Sequence, residues 1–539
     1  MAFYTVSAHA RQTQASPSIS MEKGAYRMRA PTKRAQASNL RRSYNASRDG
    51  LPQIIREERQ MAVLVMLLVC ATFACFGSAY YLLTTRWDTP AARPRFASLR
   101  SDDFQALDVD FGPDERLYEH HTGERFLSYL PHSGFHNQRI AFENALVLSR
   151  LLNRTLLVPP VRLGSDALFY APYDMLQEAL VNISQAETVS CSSVFGDAVE
   201  CAQPVHTQVS WDWLVDLSQI KQHQKLLPRW NFTTDWLRDA LGIATADTFT
   251  LRDVARDMYG FQDFVSFSSM SARKYQHMIH LSTLANRQER LLQLGTLFGS
   301  SRLHLRDPHN FGVRKAIRAD MAVMNPVLEE AALSVSSAMG PNYVGAHVRL
   351  GDGAFLDNAE ENVRLVWWRL VHGVLGHSME DTLELERSAS PWSDDVFTGP
   401  PEELPEVDEL EFLRLPAHDV NTSTICPGSD GNPSLNIPLY ISTDSQDPRS
   451  DPRLAVFVRT FPCTFFLSDF GTDGRLGKLD ALRNARDKLL LKPFLVPFVD
   501  AIVAARAARV VGTYGSTFSQ FVEGVAWRVY HGMDIVSRG

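Results

Sequence analysis

The chain has 539 residues, 45% of them hydrophobic and 21% charged, with a net charge of −7. That is ordinary globular composition with ample apolar material for a large core. The acidic balance, with no basic face outside the N-terminus, excludes nucleic acid as a partner. Length alone allows two to four domain-sized units.

Residues 1–60 carry eleven Lys/Arg against four Asp/Glu, about +7, which leaves about −14 for the rest. They are rich in Ser, Ala and Gln, lack apolar periodicity, and are expected to form a disordered cytosolic tail. Residues 61–83 then run uncharged for 23 positions. At about 1.5 Å per residue, such a helix crosses a hydrocarbon layer of roughly 30 Å. Arg41, Arg42, Arg48, Arg56 and Arg59 all lie upstream. Positive flanks stay cytosolic, so the pattern predicts a single-pass type II membrane protein with a lumenal body. A signal peptide would have a shorter leader and a shorter apolar core.

Four cysteines, Cys191, Cys201, Cys426 and Cys463, fall in the expected lumenal part, with Cys70 and Cys75 in the span. An even number in an oxidising compartment predicts two disulfides. Cys191–Cys201 with Cys426–Cys463 is the simplest of three pairings. No Cys/His spacing points to zinc. Sequons at Asn182, Asn231 and Asn421 are expected glycosylation sites; a fourth, at Asn153, sits at a helix end. Asn45 would be cytosolic.

Residues 84–125 are weakly patterned and read as a stem. Residues 126–130 read as a strand, 137–152 as a helix, and 155–158 as a second strand stopped by Pro159 and Pro160. That β-loop-α-β unit is the building block of a doubly wound sheet. Between 160 and 330, segments 288–297 and 313–338 carry helical patterns. A second α/β series follows, with strands at 343–348, 438–442 and 509–512 and helices at 495–507 and 519–527. The pattern predicts two Rossmann-like domains, 126–335 and 336–539. An acidic, Pro-containing stretch at about 378–436 interrupts the second as a solvated insertion or lid.

Three motifs carry candidate chemistry. Gly134-Phe-His136-Asn137-Gln-Arg139 leads into a helix N-terminus, where amides and the helix dipole favour an anion; Asn137 could equally be a plain N-cap. His347-Val-Arg349-Leu-Gly351-Asp352 ends a buried strand, the position where open α/β sheets bind ligands. Arg349 there can fork onto diphosphate oxygens, and Gly351 permits a tight turn. Gly512-Thr-Tyr-Gly-Ser516-Thr517-Phe518-Ser519 joins a strand to a helix and suits a phosphate, or an ordinary Ser/Thr cap.

Taken in order, these motifs resemble the GDP-fucose protein O-fucosyltransferase family, in a membrane-anchored, fungal-type form. Phe135-His-Asn137-Gln138 is similar to its Arg-Phe-Gly-Asn-Gln loop. Leu151-Leu-Asn-Arg-Thr-Leu156 and Val158-Pro-Pro160 match its helix end and strand end. Val344-Gly-Ala-His347-Val-Arg349-Leu-Gly351 resembles Val-Gly-x-His-x-Arg-x-Gly. Ser442-Thr-Asp444-Ser445 and Val511-Gly512 through Phe518 resemble two further family segments.

The resemblance implies an inverting GT-B glycosyltransferase moving a sugar, above all fucose from GDP-fucose, onto a protein Ser/Thr or a glycan. It implies no required cofactor and no metal. Asp108-Val-Asp110 fits a metal-binding pattern but lies in the expected stem. By resemblance Arg349 holds the donor diphosphate and stabilises departing GDP, and His347 contacts the diphosphate or ribose. Ser516, Thr517 and Phe518 line the phosphate and base pocket, Asp444 contacts the nucleoside, and Asn137 lies on the acceptor side. Gly134 and His136 stand where the family has Arg and Gly. His132, His136 and Glu143 are then candidate bases toward an acceptor. A different donor sugar, and a catalytically silent nucleotide- or glycan-binding protein, remain the competing readings. The expected location is the Golgi or endoplasmic reticulum.

Overall fold

The computed structural model describes residues 108–109, 123–164, 168–185, 206–254, 258–264, 275, 277–351, 353–389, 399–401, 435–471 and 473–536. All belong to one compact unit, 90–539. The expected cytosolic tail, the span at 61–83, and Cys191, Cys201, Cys426 and Asn421 lie outside the described residues, as does most of the stem. Among the described residues, no helix is long and apolar enough to cross a membrane.

The unit is mixed α/β, and its two largest sheets are parallel. The first holds β1 (Phe126–Ser128), β2 (Thr155–Val158), β3 (Leu226–Pro228), β4 (Thr248–Leu251) and β5 (Leu291–Leu294), ordered β3-β2-β1-β5-β4. Helix α1 (Phe135–Leu151) connects β1 to β2. Every ladder in this sheet is parallel. The chain winds outward from β1 through β2 and β3, then returns on the other side, so the order reverses between β1 and β5.

Helices α2 (Pro308–Asp320) and α3 (Pro326–Met339) lead to the second sheet. It contains β6 (Val344–Val348), β7 (Leu439–Thr443), β8 (Thr464–Phe466) and β9 (Arg509–Gly512), ordered β8-β7-β6-β9 and again all parallel. Helix α4 (Ala359–Trp368) follows β6, α5 (Lys492–Ala505) precedes β9, and α6 (Thr517–Phe521) follows it. Here the order reverses between β6 and β9.

Composition explains these elements. Strands covered on both faces read as apolar runs, and β1, β2, β5 and β6 are buried at every position. Residues 288–297, which carry a helical pattern, contain β5 instead. A short apolar run such as Leu-Leu-Gln-Leu does not distinguish strand from helix by period. The helical pattern over 313–338 resolves into α2 and α3. Asp307 and Asn325 cap them through their side chains, each followed by Pro at the first position. Asn137 caps nothing: α1 starts two residues earlier, behind Gly134, and has no side-chain cap.

The acidic stretch is not unstructured throughout. Met379–Ala389 is helical, and its buried Glu386 accepts from Arg364 Nε at 2.5 Å and Trp368 Nε1 at 3.1 Å. Cys463 is buried and disulfide-bonded, and its partner lies outside the described residues.

One core cluster runs through both sheets. Phe135, the first residue of α1, sits within it. Its ring meets Phe498 of α5 at 4.6 Å and Phe521 of α6 at 5.3 Å, both edge-on, and Trp211 at 6.0 Å. Truncating a buried Phe costs about 3–5 kcal/mol. Phe135→Ala should lower unfolding stability by that amount in urea titrations. A change below about 1 kcal/mol would show that this contact does not hold the two sheets together.

Candidate functional site

The ends of β6, β7 and β9 converge at the reversal point of the second sheet, where open α/β sheets place ligands. Asp444, just beyond β7, organises them. Its Oδ1 accepts from Leu350 N at 2.7 Å. Its Oδ2 accepts from Gly351 N at 2.9 Å and pairs with Arg349 Nη1 at 3.0 Å. Arg349 and Asp444 are both half-buried, with side chains 30% and 23% exposed, so the guanidinium is held yet reachable. A Cβ on Gly351 would lie 2.6 Å from Asp444 Oδ2, so the close approach requires glycine.

The other side of Arg349 is fixed by β9. Arg349 N donates to Thr513 Oγ1 at 3.0 Å, and Thr513 N donates to His347 O at 3.0 Å. His347 is 3% exposed, and its Nδ1 lies 2.7 Å from Ser519 Oγ. That hydroxyl also accepts from Thr513 N at 3.1 Å. Ser516 is buried and caps α6, accepting from Ser519 N at 3.2 Å. Thr517 and Phe518 are half-buried on α6, and the Phe518 ring stands 5.2 Å from the His347 ring. Burial, helped by the Arg349 charge, pushes His347 down to about 3. The ring is therefore neutral at physiological pH.

The first motif reaches this cluster through aromatic rings. His136 stands 5.8 Å from Phe521, and Phe521 stands 5.7 Å from Phe518. His136, Phe521, Phe518 and His347 thus form one row from α1 to β6. His136 is 2% exposed, and neither ring nitrogen has a hydrogen-bond partner. Burial and then Arg139 hold it well below the usual histidine range. A base must reach the proton it takes, and in this arrangement no nitrogen of His136 meets solvent. Asn137 is half-buried, with Oδ1 enclosed and unpartnered.

The other candidate bases are engaged. Glu143 accepts from Arg318 Nε at 2.7 Å and pairs with Arg139 at 3.7 Å. His132 places Nε2 2.6 Å from Thr296 Oγ1 and Nδ1 2.7 Å from Ser133 Oγ. Burial, with Arg302 adding, lowers His132 to about 4. It borders a shallow surface hollow shared with Pro131, Pro159, Arg162, Leu180 and Phe232. Gln138 braces the rim, donating to Ser133 O and Arg162 O at 2.9 Å each. Of the expected glycosylation sites, Asn182 is exposed on a helix, while half-buried Asn231 accepts from Thr233 N at 2.8 Å.

Sequence reading does not single out Thr513 and Ser519, although both lie in the third motif. It also misses Asp500. This carboxylate accepts from Tyr440 OH at 2.5 Å, Ser442 Oγ at 2.7 Å and Thr443 N at 3.1 Å. It supports β7 directly before Asp444, and burial pushes it up to about 6. An acidic residue in the middle of the apolar helix α5 was a visible signal. Among the described residues, no cluster of three His, Cys, Asp or Glu could hold a metal.

No protein-family model matches the chain. A 39-residue stretch, 7% of this chain and 8% of the relative, is 56% identical to O-fucosyltransferase 30 of Arabidopsis thaliana. The chain therefore matches a small part of that relative's length. A structure of POFUT1 in complex with GDP-fucose is similar at a TM-score of 0.33 and 10% identity, covering 78% of this chain and 98% of that one. A POFUT1 complex with GDP gives 0.33 and 12%, covering 77% and 97%.

A histidine whose folded value is depressed contributes stability that is complete above its unfolded value. That contribution is lost as pH falls toward the folded value. For His347 the window runs from 6.5 down to about 3. Between pH 7 and pH 5 this amounts to about 2 kcal/mol. His347→Asn should therefore lose about 2 kcal/mol less than the parent over that interval in urea titrations. Asp500, shifted the opposite way, contributes equally to both proteins. Parallel losses in the two would show that His347 is not held neutral.

Proposed function

We propose that this protein is an O-fucosyltransferase-like glycosyltransferase with a GT-B arrangement, transferring fucose from GDP-fucose to a protein Ser/Thr or a glycan. The observation that carries the reading is Arg349, reachable and held at a sheet reversal point by Asp444 and Thr513. The ordered family-like motifs around it and the short match to an O-fucosyltransferase support it.

In this reading Arg349 binds the donor diphosphate. Transfer forms a bond from the acceptor oxygen to the anomeric carbon and breaks the bond from that carbon to the diphosphate. Negative charge grows on the leaving GDP, so a preorganised guanidinium lowers the barrier. Neutral His347 offers hydrogen bonding to the diphosphate or ribose without adding charge. Ser516, Thr517 and Phe518 form the rest of the nucleotide side, and Asp444 acts chiefly by aiming Arg349. Attack from the face opposite the leaving group inverts the anomeric centre.

The acceptor side lies toward the start of α1, beside half-buried Asn137. The acceptor's hydroxyl proton passes onward to solvent. We assign the protein to the secretory pathway as a type II membrane protein of the Golgi or endoplasmic reticulum. That assignment rests on the uncharged run at 61–83 and its basic flank.

Calorimetric titration of the purified chain with GDP-fucose, GDP-mannose and GDP tests the donor. GDP-fucose should bind tightest, and Arg349→Ala should weaken it roughly a hundredfold, the worth of a charge-assisted bidentate contact. Preference for GDP-mannose would change the sugar. No binding of any guanine nucleotide by folded protein would leave the silent-binder or different-donor reading. Because Arg349 is proposed to stabilise the leaving group, transfer should persist in EDTA. Complete loss restored by manganese would overturn the metal-independent step.

A further inference from the structure

Among the described residues, strand β9 is an edge of the second sheet and pairs with β6 alone. Its last residue, Gly512, has both backbone groups taken by side chains. Gly512 N donates to Glu523 Oε1 at 2.5 Å, and Gly512 O accepts from Arg369 Nη1 at 2.5 Å. Arg369 Nη2 pairs with the same Glu523 oxygen at 3.0 Å. One arginine, one carboxylate and one peptide residue thus close a ring, where the next strand of a longer sheet would have bonded.

Both side chains project from π-helical turns, Arg369–Val374 behind α4 and Val522–Trp527 behind α6. Such turns are rare, cluster at functional sites and re-aim side chains relative to a regular helix. A Cβ on Gly512 would lie 2.6 Å from Ser519 Cβ, so nothing larger fits this junction. The residue after Gly512 is Thr513, whose hydroxyl accepts from Arg349 N. The grip on Gly512 is therefore one residue and one hydrogen bond away from the backbone of Arg349, the proposed diphosphate-binding residue.

We propose that Arg369 and Glu523 are positioning residues for the donor site. They fix Gly512, hence Thr513, hence the direction in which Arg349 meets the phosphates. The inference rests on the donor-site reading above. Neither residue belongs to the motifs that carry the family resemblance. Because the pair acts on the phosphate-binding group, its loss should be felt by the diphosphate and not by the nucleoside.

The test measures GDP and guanosine affinity of the full chain in three variants, Arg369→Met, Arg369→Lys and Glu523→Gln, with melting temperature alongside. Arg369→Met should weaken GDP about tenfold or more, as expected for breaking a charge-assisted contact, and leave guanosine within about twofold. Arg369→Lys, which keeps the charge, should recover part of the GDP affinity. Glu523 is 27% exposed and the change to Gln keeps its shape, so that variant carries the test if Arg369→Met does not fold. Unchanged GDP affinity, or equal losses for GDP and guanosine, would overturn the positioning role. A parent protein that binds no GDP would instead remove the donor-site reading itself.

Discussion

The Asp444 carboxylate accepts from two consecutive amides of one strand end and pairs with the guanidinium beside them. Each of these bonds is individually worth only about 1–3 kcal/mol. Their joint effect is geometric, since three donors on one rigid carboxylate leave the backbone after β6 a single path. Asp500 supports that path from beneath through Ser442 and Thr443. Thr513 closes it from the side. The arginine at the centre keeps a defined direction although its side chain is partly in solvent.

Around this hub, burial controls charge. His347, His136 and His132 are all driven toward the neutral form, in each case chiefly by desolvation. Arg349 therefore supplies cationic attraction at the strand ends without a neighbouring imidazolium. Where carboxylates do penetrate the interior, they arrive with partners, as Glu143 does with arginines and Glu386 with Arg364. That follows from the high cost of an unpaired buried charge.

Much of this was visible in the residues. Short apolar runs located β2, β6 and β9, with proline stopping β2 and glycine ending β9, and the strand-end positions of His347 and Arg349 followed from the direction of a parallel sheet. What was hidden depends on contacts distant in sequence. Nothing near Arg369 announces a bond to Gly512, because that bond spans 143 residues. The burial of His136 could not be read either, since Phe521 covers it from the other end of the chain. Asn137 looked like a cap because Asn often caps helices, but α1 extends past it to Phe135.

The edge position of β9 has a separate consequence for the folded protein in a crowded compartment. A bare strand edge is a template on which another chain can add by backbone pairing. Here the outward N–H and C=O of Gly512 are already satisfied by Glu523 and Arg369, and the charged pair sits where an approaching strand would have to lie. The terminal position of this edge is thereby closed to strand addition, so the end of the sheet that carries the proposed chemistry is also protected against self-association.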